Sequence, residues 1–285
     1  MKIVQKIDEI AGLCAEYRTH GKSIGLVPTM GALHEGHLSL LRKSLRLSDI
    51  SVMSIFVNPT QFGAGEDLDK YPRPFEADCE LAEKNGCDIV FVPLTNEMYR
   101  QFSATFVDVK GLTDRLCGAS RPGHFRGVLT VVMKLFNIIS PRIAVFGQKD
   151  AQQAIVIRRM VVDLNCPVQI VVEPTVREND GLAMSSRNRY LTDNERSQAA
   201  LLYQGLSGAV QLYDRGERSA SRLRDAIAHA YRTATLFKPE YIGIVDVKTL
   251  EPLLEITAGA LVAVAAKTTE TGTRLIDNVV LGGGL

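Results

Sequence analysis

The chain has 285 residues, 46% hydrophobic and 23% charged, a globular composition with core enough for one large or two smaller domains. A formal net charge of +1 excludes the global basic field that draws nucleic acid or an anionic membrane surface. Cys14, Cys79, Cys87, Cys117 and Cys166 are odd in number and form no C-x-x-C pair, which points to reduced thiols of a cytoplasmic protein rather than disulfides or a metal cage.

Residues 1–6 lack the apolar stretch of a signal peptide. Helical periodicity covers residues 7–19, and a short apolar strand candidate follows at 24–28. Residues 34–47 read as a helix, with Leu38, Leu41, Leu45 and the neighbouring Leu40 and Leu47 in one apolar stripe and Arg42, Lys43 and Arg46 elsewhere. Further strands are predicted at 50–57, 88–92, 105–109, 142–146 and 168–172, and further helices at 74–85, 128–139 and 151–164. Residues 128–139 are the most apolar run, but Lys134 and Asn137 interrupt it and it is too short to span a membrane. The alternation predicts an α/β fold, a Rossmann-like doubly wound, mostly parallel sheet that binds ligands beyond its strand C-termini.

The pattern changes near Pro174. Thr192-Asp193-Asn194-Glu195 is a capping box that opens a helix from Asp193 to about Tyr213, and a second helix is expected over 219–237. Strands are predicted at 241–247, 261–266 and 273–280, and Gly282-Gly283-Gly284 reads as a flexible tail. The chain therefore divides into a larger domain, 1–175, and a smaller α+β C-terminal domain, 176–285. Internal repeats and low-complexity tracts are absent from the sequence, as are the G-x-G-x-x-G and G-x-x-x-x-G-K-[ST] signatures, so dinucleotide-binding and P-loop readings lose support.

Thr29-Met30-Gly31-Ala32-Leu33-His34-Glu35-Gly36-His37 lies where the second predicted strand passes into a helix. Gly31 frees the connecting backbone to turn or to approach a ligand closely. A helix start offers unpaired backbone N–H groups and the positive end of a dipole, which suit a phosphate. His34 and His37, spaced i, i+3, share one face and are placed to donate hydrogen bonds to charge that builds as pyrophosphate leaves. A zinc-protease helix requires its second histidine at i+4, one residue later than here, so the pair is not read as a metal site. Two ordinary surface histidines are the bland alternative, and the segment alone leaves it open.

Other polar groups lie at predicted strand ends. Gln61, in Asn58-Pro59-Thr60-Gln61-Phe62, carries a donor and an acceptor and no charge, which suits a carboxylate and a hydroxyl; a solvated loop glutamine is the alternative. Arg121, His124 and Arg126 surround the turn residues Pro122 and Gly123 and offer anion contacts, a solvated basic loop or a subunit contact. In Gly147-Gln148-Lys149-Asp150, Lys149 is a compact cation suited to phosphate, whereas Asp150 and Gln153 also fit a capping box. Met184-Ser185-Ser186-Arg187-Asn188 adds hydroxyls and a guanidinium on a polar loop.

These five ordered segments, from Pro28 to His37, Phe56 to Phe62, Arg121 to Gly127, Phe146 to Asp150 and Met184 to Asn188, closely resemble the pantoate–β-alanine ligase (pantothenate synthetase) family. The resemblance implies ATP-dependent condensation of pantoate with β-alanine through a pantoyl-adenylate, giving pantothenate, AMP and pyrophosphate. It implies that His34 and His37 meet the ATP phosphates, with Met30 and Gly31 near the nucleotide. Gly147 and Asp150 would meet the ribose, Lys149 the phosphates and Val176 the adenine, with Met184 beside the nucleotide. Ser185, Ser186 and Arg187 would stand in for the mobile loop of class I aminoacyl-tRNA synthetases. Gln61 and Gln153 would hold pantoate, with Gln61 also near β-alanine. Mg²⁺ is expected with the ATP phosphates, and no dedicated protein metal site is expected. A homodimer is implied, with small-molecule substrates and neither nucleic acid nor membrane as partner. The rival readings are another nucleotidyltransferase of this fold acting on a phosphate ester, and a non-catalytic nucleotide-binding module.

Overall fold

The computed structural model describes all residues, 1–285. In chain order the elements are β1 (Lys2–Val4), α1 (Ile7–Thr19), β2 (Ile24–Thr29), α2 (Glu35–Leu47), β3 (Ile50–Ile55), a 3₁₀ turn Pro59–Gln61, α3 (Phe75–Lys84), β4 (Ile89–Phe91), α4 (Thr95–Met98), α5 (Cys117–Ser120) and α6 (His124–Ile139). There follow β5 (Ile143–Gly147), a 3₁₀ turn Gln148–Asp150, α7 (Ala151–Asp163), β6 (Gln169–Glu173), a 3₁₀ turn Ser186–Tyr190, α8 (Asp193–Ala199), α9 (Leu201–Asp214), α10 (Ala220–Ala230), a 3₁₀ turn Tyr231–Thr233, β7 (Phe237–Asp246), β8 (Ala260–Thr268) and β9 (Arg274–Leu281). The chain forms two compact units, one of residues 1–114, 118–147 and 152–173 and one of 115–117, 148–151 and 174–285.

The first unit is a six-stranded sheet in the order β1-β4-β3-β2-β5-β6, and every neighbouring pair is parallel. Val27, Met53, Val90, Ile143 and Val145 supply one apolar face, and Leu40 and Leu41 of α2 with Ala82 of α3 cover it. Helix α1 packs against β2 and α6 on the other side. From β2 the chain moves outward through β3 and β4 and then returns to begin β5 on β2's other flank. The strand order thus reverses between β2 and β5, and a doubly wound sheet opens its ligand crevice at that point. The α/β reading holds, and β1, too short to show a period, adds an edge strand.

Two predicted elements of this unit differ. Residues 105–109 form no strand, because the Val107 N–H donates to Thr130 Oγ1 at 3.0 Å and the Phe106 ring lies 4.1 Å from the Arg126 guanidinium. The helix expected at 128 begins at His124, with Gly123 in the left-handed region (φ 82°) as its N-cap.

The second unit is a three-stranded antiparallel sheet, β7-β8-β9, whose residues Ile244, Val262, Val264 and Leu275 pack with Leu202 and Leu206 of α9 and Leu223 and Ile227 of α10. The predicted capping box is present: Glu195 N–H donates to Thr192 Oγ1 at 3.2 Å and Thr192 N–H to Glu195 Oε2 at 3.3 Å. The helix expected to run from Asp193 to about Tyr213 is divided at Ala200, where the backbone keeps right-handed helical angles. The helix expected over 219–237 stops at Ala230. Gln198 Oε1 takes the N–H groups of Thr235 and Leu236, and the Tyr231 hydroxyl caps the Leu202 carbonyl, so the chain turns and Phe237 starts β7.

Candidate functional site

In the first unit the switch-point turn is built around a carboxylate. Gly31 has φ 82°, and a Cβ there would lie 2.8 Å from Asp78 Oδ2 and 3.0 Å from Ile55 Cγ2, so only glycine fits. Asp78, 1% exposed, accepts the N–H groups of Ala32 at 2.8 Å and Leu33 at 2.7 Å. Ala32 itself sits at φ 49°, a costly conformation for a residue with a Cβ, and the two charged hydrogen bonds offset that cost. Asp78 therefore fixes the turn that delivers His34.

His34 is the N-cap of α2. Its Nδ1 accepts the Gly36 N–H at 3.1 Å, and His37 Nδ1 accepts the His34 N–H at 3.3 Å, a capping box made of imidazoles. The ring centroids are 4.1 Å apart. A nitrogen that accepts from a backbone amide carries no proton, so each neutral ring holds its hydrogen on Nε2. Two Nε2–H donors are thereby set side by side, both rings half-buried. Of the backbone donors expected at this helix start, the N–H groups of His34 and Gly36 are taken by the rings.

Gln61 ends the 3₁₀ turn after β3. Its Oε1 accepts from Asn58 Nδ2 at 3.0 Å and its Nε2 lies 3.1 Å from Met30 Sδ, which brings the two residues together. Asn58, 1% exposed, accepts from Tyr99 OH at 2.7 Å and Thr60 Oγ1 at 2.9 Å, and donates to the Gly127 carbonyl at 3.2 Å. A Cβ on Gly127 would stand 2.3 Å from the Thr60 oxygen, so α6 presses directly on this turn. Asn58 and Tyr99 orient the glutamine and were not singled out from sequence; an Asn before Pro at a turn is the local signal for the first.

Arg121 grips Glu66 with two hydrogen bonds, Nε to Oε1 at 2.7 Å and Nη2 to Oε2 at 2.6 Å. His124 Nδ1 donates to the Gln61 carbonyl at 2.8 Å, leaving Nε2 to accept from Arg121 Nη1 at 3.0 Å. Burial alone would raise the Glu66 carboxyl, but Arg121's hydrogen bonds and charge, with the Gly63 N–H, hold it at about 2. An external anion reaching Arg121 has to displace Glu66. Arg126 is exposed and stacks on Phe106. Gly147 ends β5, with Leu40 of α2 4.0 Å from where its Cβ would stand. On α7, Gln153 is half-buried, and its neighbour Gln152 instead donates to the Leu112 carbonyl at 2.9 Å. The 3₁₀ turn Gln148–Asp150 runs straight into α7, so Asp150 stands immediately before the helix, where a cap would sit, with Gln153 in the first turn.

The second unit carries the remaining candidates. Lys149 is half-buried with Nζ 4.0 Å from Asp150 Oδ2. Val176 and Met184 meet across a small hairpin, Met184 N–H donating to the Val176 carbonyl at 3.0 Å beside the Arg177–Ala183 bridge. Arg177 is held by Asp277 through bonds of 2.6 and 2.9 Å, and its guanidinium lies 3.7 Å from the Tyr203 ring centroid. Ser185 caps the next 3₁₀ turn, its Oγ accepting the Arg187 N–H at 3.3 Å; Ser186 is buried and Arg187 half-buried. Asn188 Nδ2 donates to Glu178 Oε1 at 2.8 Å and to the Ala183 carbonyl at 3.2 Å, tying the turn to the hairpin.

The model of the family "Pantoate-beta-alanine ligase" matches residues 2–280. The chain belongs to the pantoate–β-alanine ligase family. It is 53% identical over 281 residues to the pantothenate synthetase of Caldicellulosiruptor saccharolyticus, covering 99% of each chain. The crystal structure of pantothenate synthetase from Thermus thermophilus superimposes with a TM-score of 0.92 at 44% identity, covering 98% of this chain and 99% of that one. The pantoate–β-alanine ligase of Francisella tularensis, solved in complex with "Beta-gamma ATP" and β-alanine, gives a TM-score of 0.79 at 32% identity over 100% and 99% of the chains. The chain is accordingly a ligase of pantoate and β-alanine that forms a C–N bond, with the family's parallel-sheet domain and small antiparallel domain. No helix is long and apolar enough to cross a membrane.

Proposed function

We propose that this pantoate–β-alanine ligase works by adenylation. A carboxylate oxygen of pantoate attacks the α-phosphorus of ATP, the bond from that phosphorus to the bridging oxygen breaks, and pyrophosphate leaves. The amine of β-alanine, arriving unprotonated, then attacks the carbonyl carbon of the pantoyl-adenylate and expels AMP. One observation carries this reading: the paired Nε2–H donors of His34 and His37 stand beyond the C-terminal end of β2, beside the strand-order reversal. Donors fixed in advance are worth most where charge grows, here on the leaving pyrophosphate and the α-phosphate oxygens.

In this reading ATP enters as its Mg²⁺ complex, the ion held by the phosphate oxygens. Met30 and Gly31 flank the nucleotide, Gly147 and Asp150 meet the ribose, Lys149 meets the phosphates, and Val176 and Met184 approach the adenine. Ser185, Ser186 and Arg187 contribute hydrogen bonds and charge as the domain of residues 176–285 closes over the catalytic domain of 1–175, keeping water from the mixed anhydride. Gln61 and Gln153 hold pantoate, and Gln61 serves β-alanine. The side chains around the Gln61 amide, Asn58 with Tyr99 behind it and Met30, are neutral, and the Arg121 beside its carbonyl is paired with Glu66, which fits a hydroxy acid better than a phosphate ester.

A homodimer belongs to the same reading, supported by the exposed Phe102 (90%) and Phe106 (46%) beside the strand-like 105–109 segment, which pairs with no strand of its own chain. Five free cysteines suit a cytoplasmic protein. Incubating purified protein with ATP, pantoate and β-alanine tests the reaction: equal amounts of AMP and pantothenate are expected. ATP binding by calorimetry without turnover of any carboxylate would overturn it.

A further inference from the structure

Asn278, on the last strand β9, is 3% exposed and reaches back 130 residues. Its Nδ2 donates to the Gln148 carbonyl at 2.8 Å and to the Lys149 carbonyl at 2.9 Å, while its Oδ1 accepts from Gln148 Nε2 at 3.4 Å. Two adjacent carbonyls are met only by an NH₂ group, so the amide's orientation is settled by its partners. Both its hydrogens are used. The preceding residue, Asp277, is also 3% exposed; it accepts the Asn278 N–H on Oδ1 at 2.7 Å and grips Arg177, next to Val176. Strand residues alternate between faces, yet both of these neighbours are buried and polar, which an ordinary sheet core does not require.

We propose that Asn278 is a positioning residue for Lys149: by clamping the Gln148–Lys149 backbone to β9 it fixes where the lysine ammonium is presented. This rests on the reading that Lys149 meets the ATP phosphates. The clamp also gives a reason for residues 148–151 to belong to the second unit although they follow directly on β5 of the first. Asn278 makes no contact with substrate in this account. It acts through the backbone of the residue that does, and a displacement of about 1 Å in a charge contact costs on the order of 100-fold in rate.

The test is a cycle of four proteins, wild type, Asn278→Ala, Lys149→Ala and the double variant, assayed for pyrophosphate release from ATP and pantoate. Asn278→Ala is expected to lower kcat by about 10- to 100-fold and to leave KM for pantoate within about twofold, the limit for independent sites. The double variant is expected to match Lys149→Ala within about twofold, because the clamp has nothing left to position. If the double variant is slower than Lys149→Ala by the whole factor of Asn278→Ala, the asparagine acts on the fold at large and the inference is overturned. An unimpaired Asn278→Ala also overturns it. A Lys149→Ala protein of wild-type rate instead removes the reading beneath it. Asn278→Ser, which keeps one donor, carries the same cycle should the alanine variant not fold.

Discussion

His37 makes two separable contributions, and two substitutions divide them. Its Nδ1 accepts the His34 N–H at 3.3 Å, which is a helix-cap contact, and its Nε2–H is the donor assigned to the phosphates. An asparagine amide oxygen reaches the place of Nδ1, and a glutamine amide nitrogen reaches the place of Nε2. Loss of a cap costs about 1 kcal/mol of stability. Loss of a preorganised donor to a charged transition state costs about 2.7–4 kcal/mol, or roughly 100- to 1,000-fold in kcat. His37→Asn should therefore melt close to wild type and release pyrophosphate from ATP and pantoate roughly 100-fold or more slowly. His37→Gln should melt lower by about 1 kcal/mol of stability and keep more of the rate than His37→Asn. Thermal melts and the pyrophosphate assay read both. A His37→Asn enzyme at wild-type speed beside a crippled His37→Gln would show that the histidine serves only as a cap.

Asp78→Ala strands the buried N–H groups of Ala32 and Leu33, and about 1–3 kcal/mol of stability should be lost for each, measurable by denaturant titration, with adenylation impaired because the turn bearing His34 is released. Gln61→Ala should raise KM for pantoate while ATP binding measured by calorimetry stays near wild type; equal loss of both would misplace the residue. Glu195 is pulled upward by burial, but the N–H and hydroxyl of Thr271, the Thr268 hydroxyl and the Glu270 N–H outweigh this and bring it down to about 2. A carboxyl lowered on folding stabilises the fold above its ordinary value near 4.5 and loses that contribution as pH falls toward about 2. Glu195→Gln should thus destabilise the protein at pH 7 by about 1.5–3 kcal/mol and flatten the acid limb of the stability profile between those values.

The sheet was legible because its strands are apolar runs separated by amphipathic helices, and their bounds shift by a residue or two. Residues 105–109 misled because alternation states a preference for a strand but not whether a partner exists; here a threonine hydroxyl and an arginine claim the segment. Asp78 was hidden among the acidic residues that suit any helix start. Its sign was positional: Phe75, Asp78, Cys79 and Ala82 share the inward stripe of α3, and a carboxylate in such a stripe needs a buried partner. The histidine pair was visible as a spacing, but its tautomers follow only from the backbone amides that the two rings cap. Asn278 lies 129 residues from Lys149, beyond the reach of any local pattern.

The most direct measurement is a crystal structure of this chain with a non-hydrolysable ATP analogue and pantoate. Nε2 of His34 and His37 and Nζ of Lys149 should lie about 2.7–3.2 Å from phosphate oxygens, with the pantoate carboxylate near Gln61. An analogue bound with its phosphates away from both imidazoles would contradict the account.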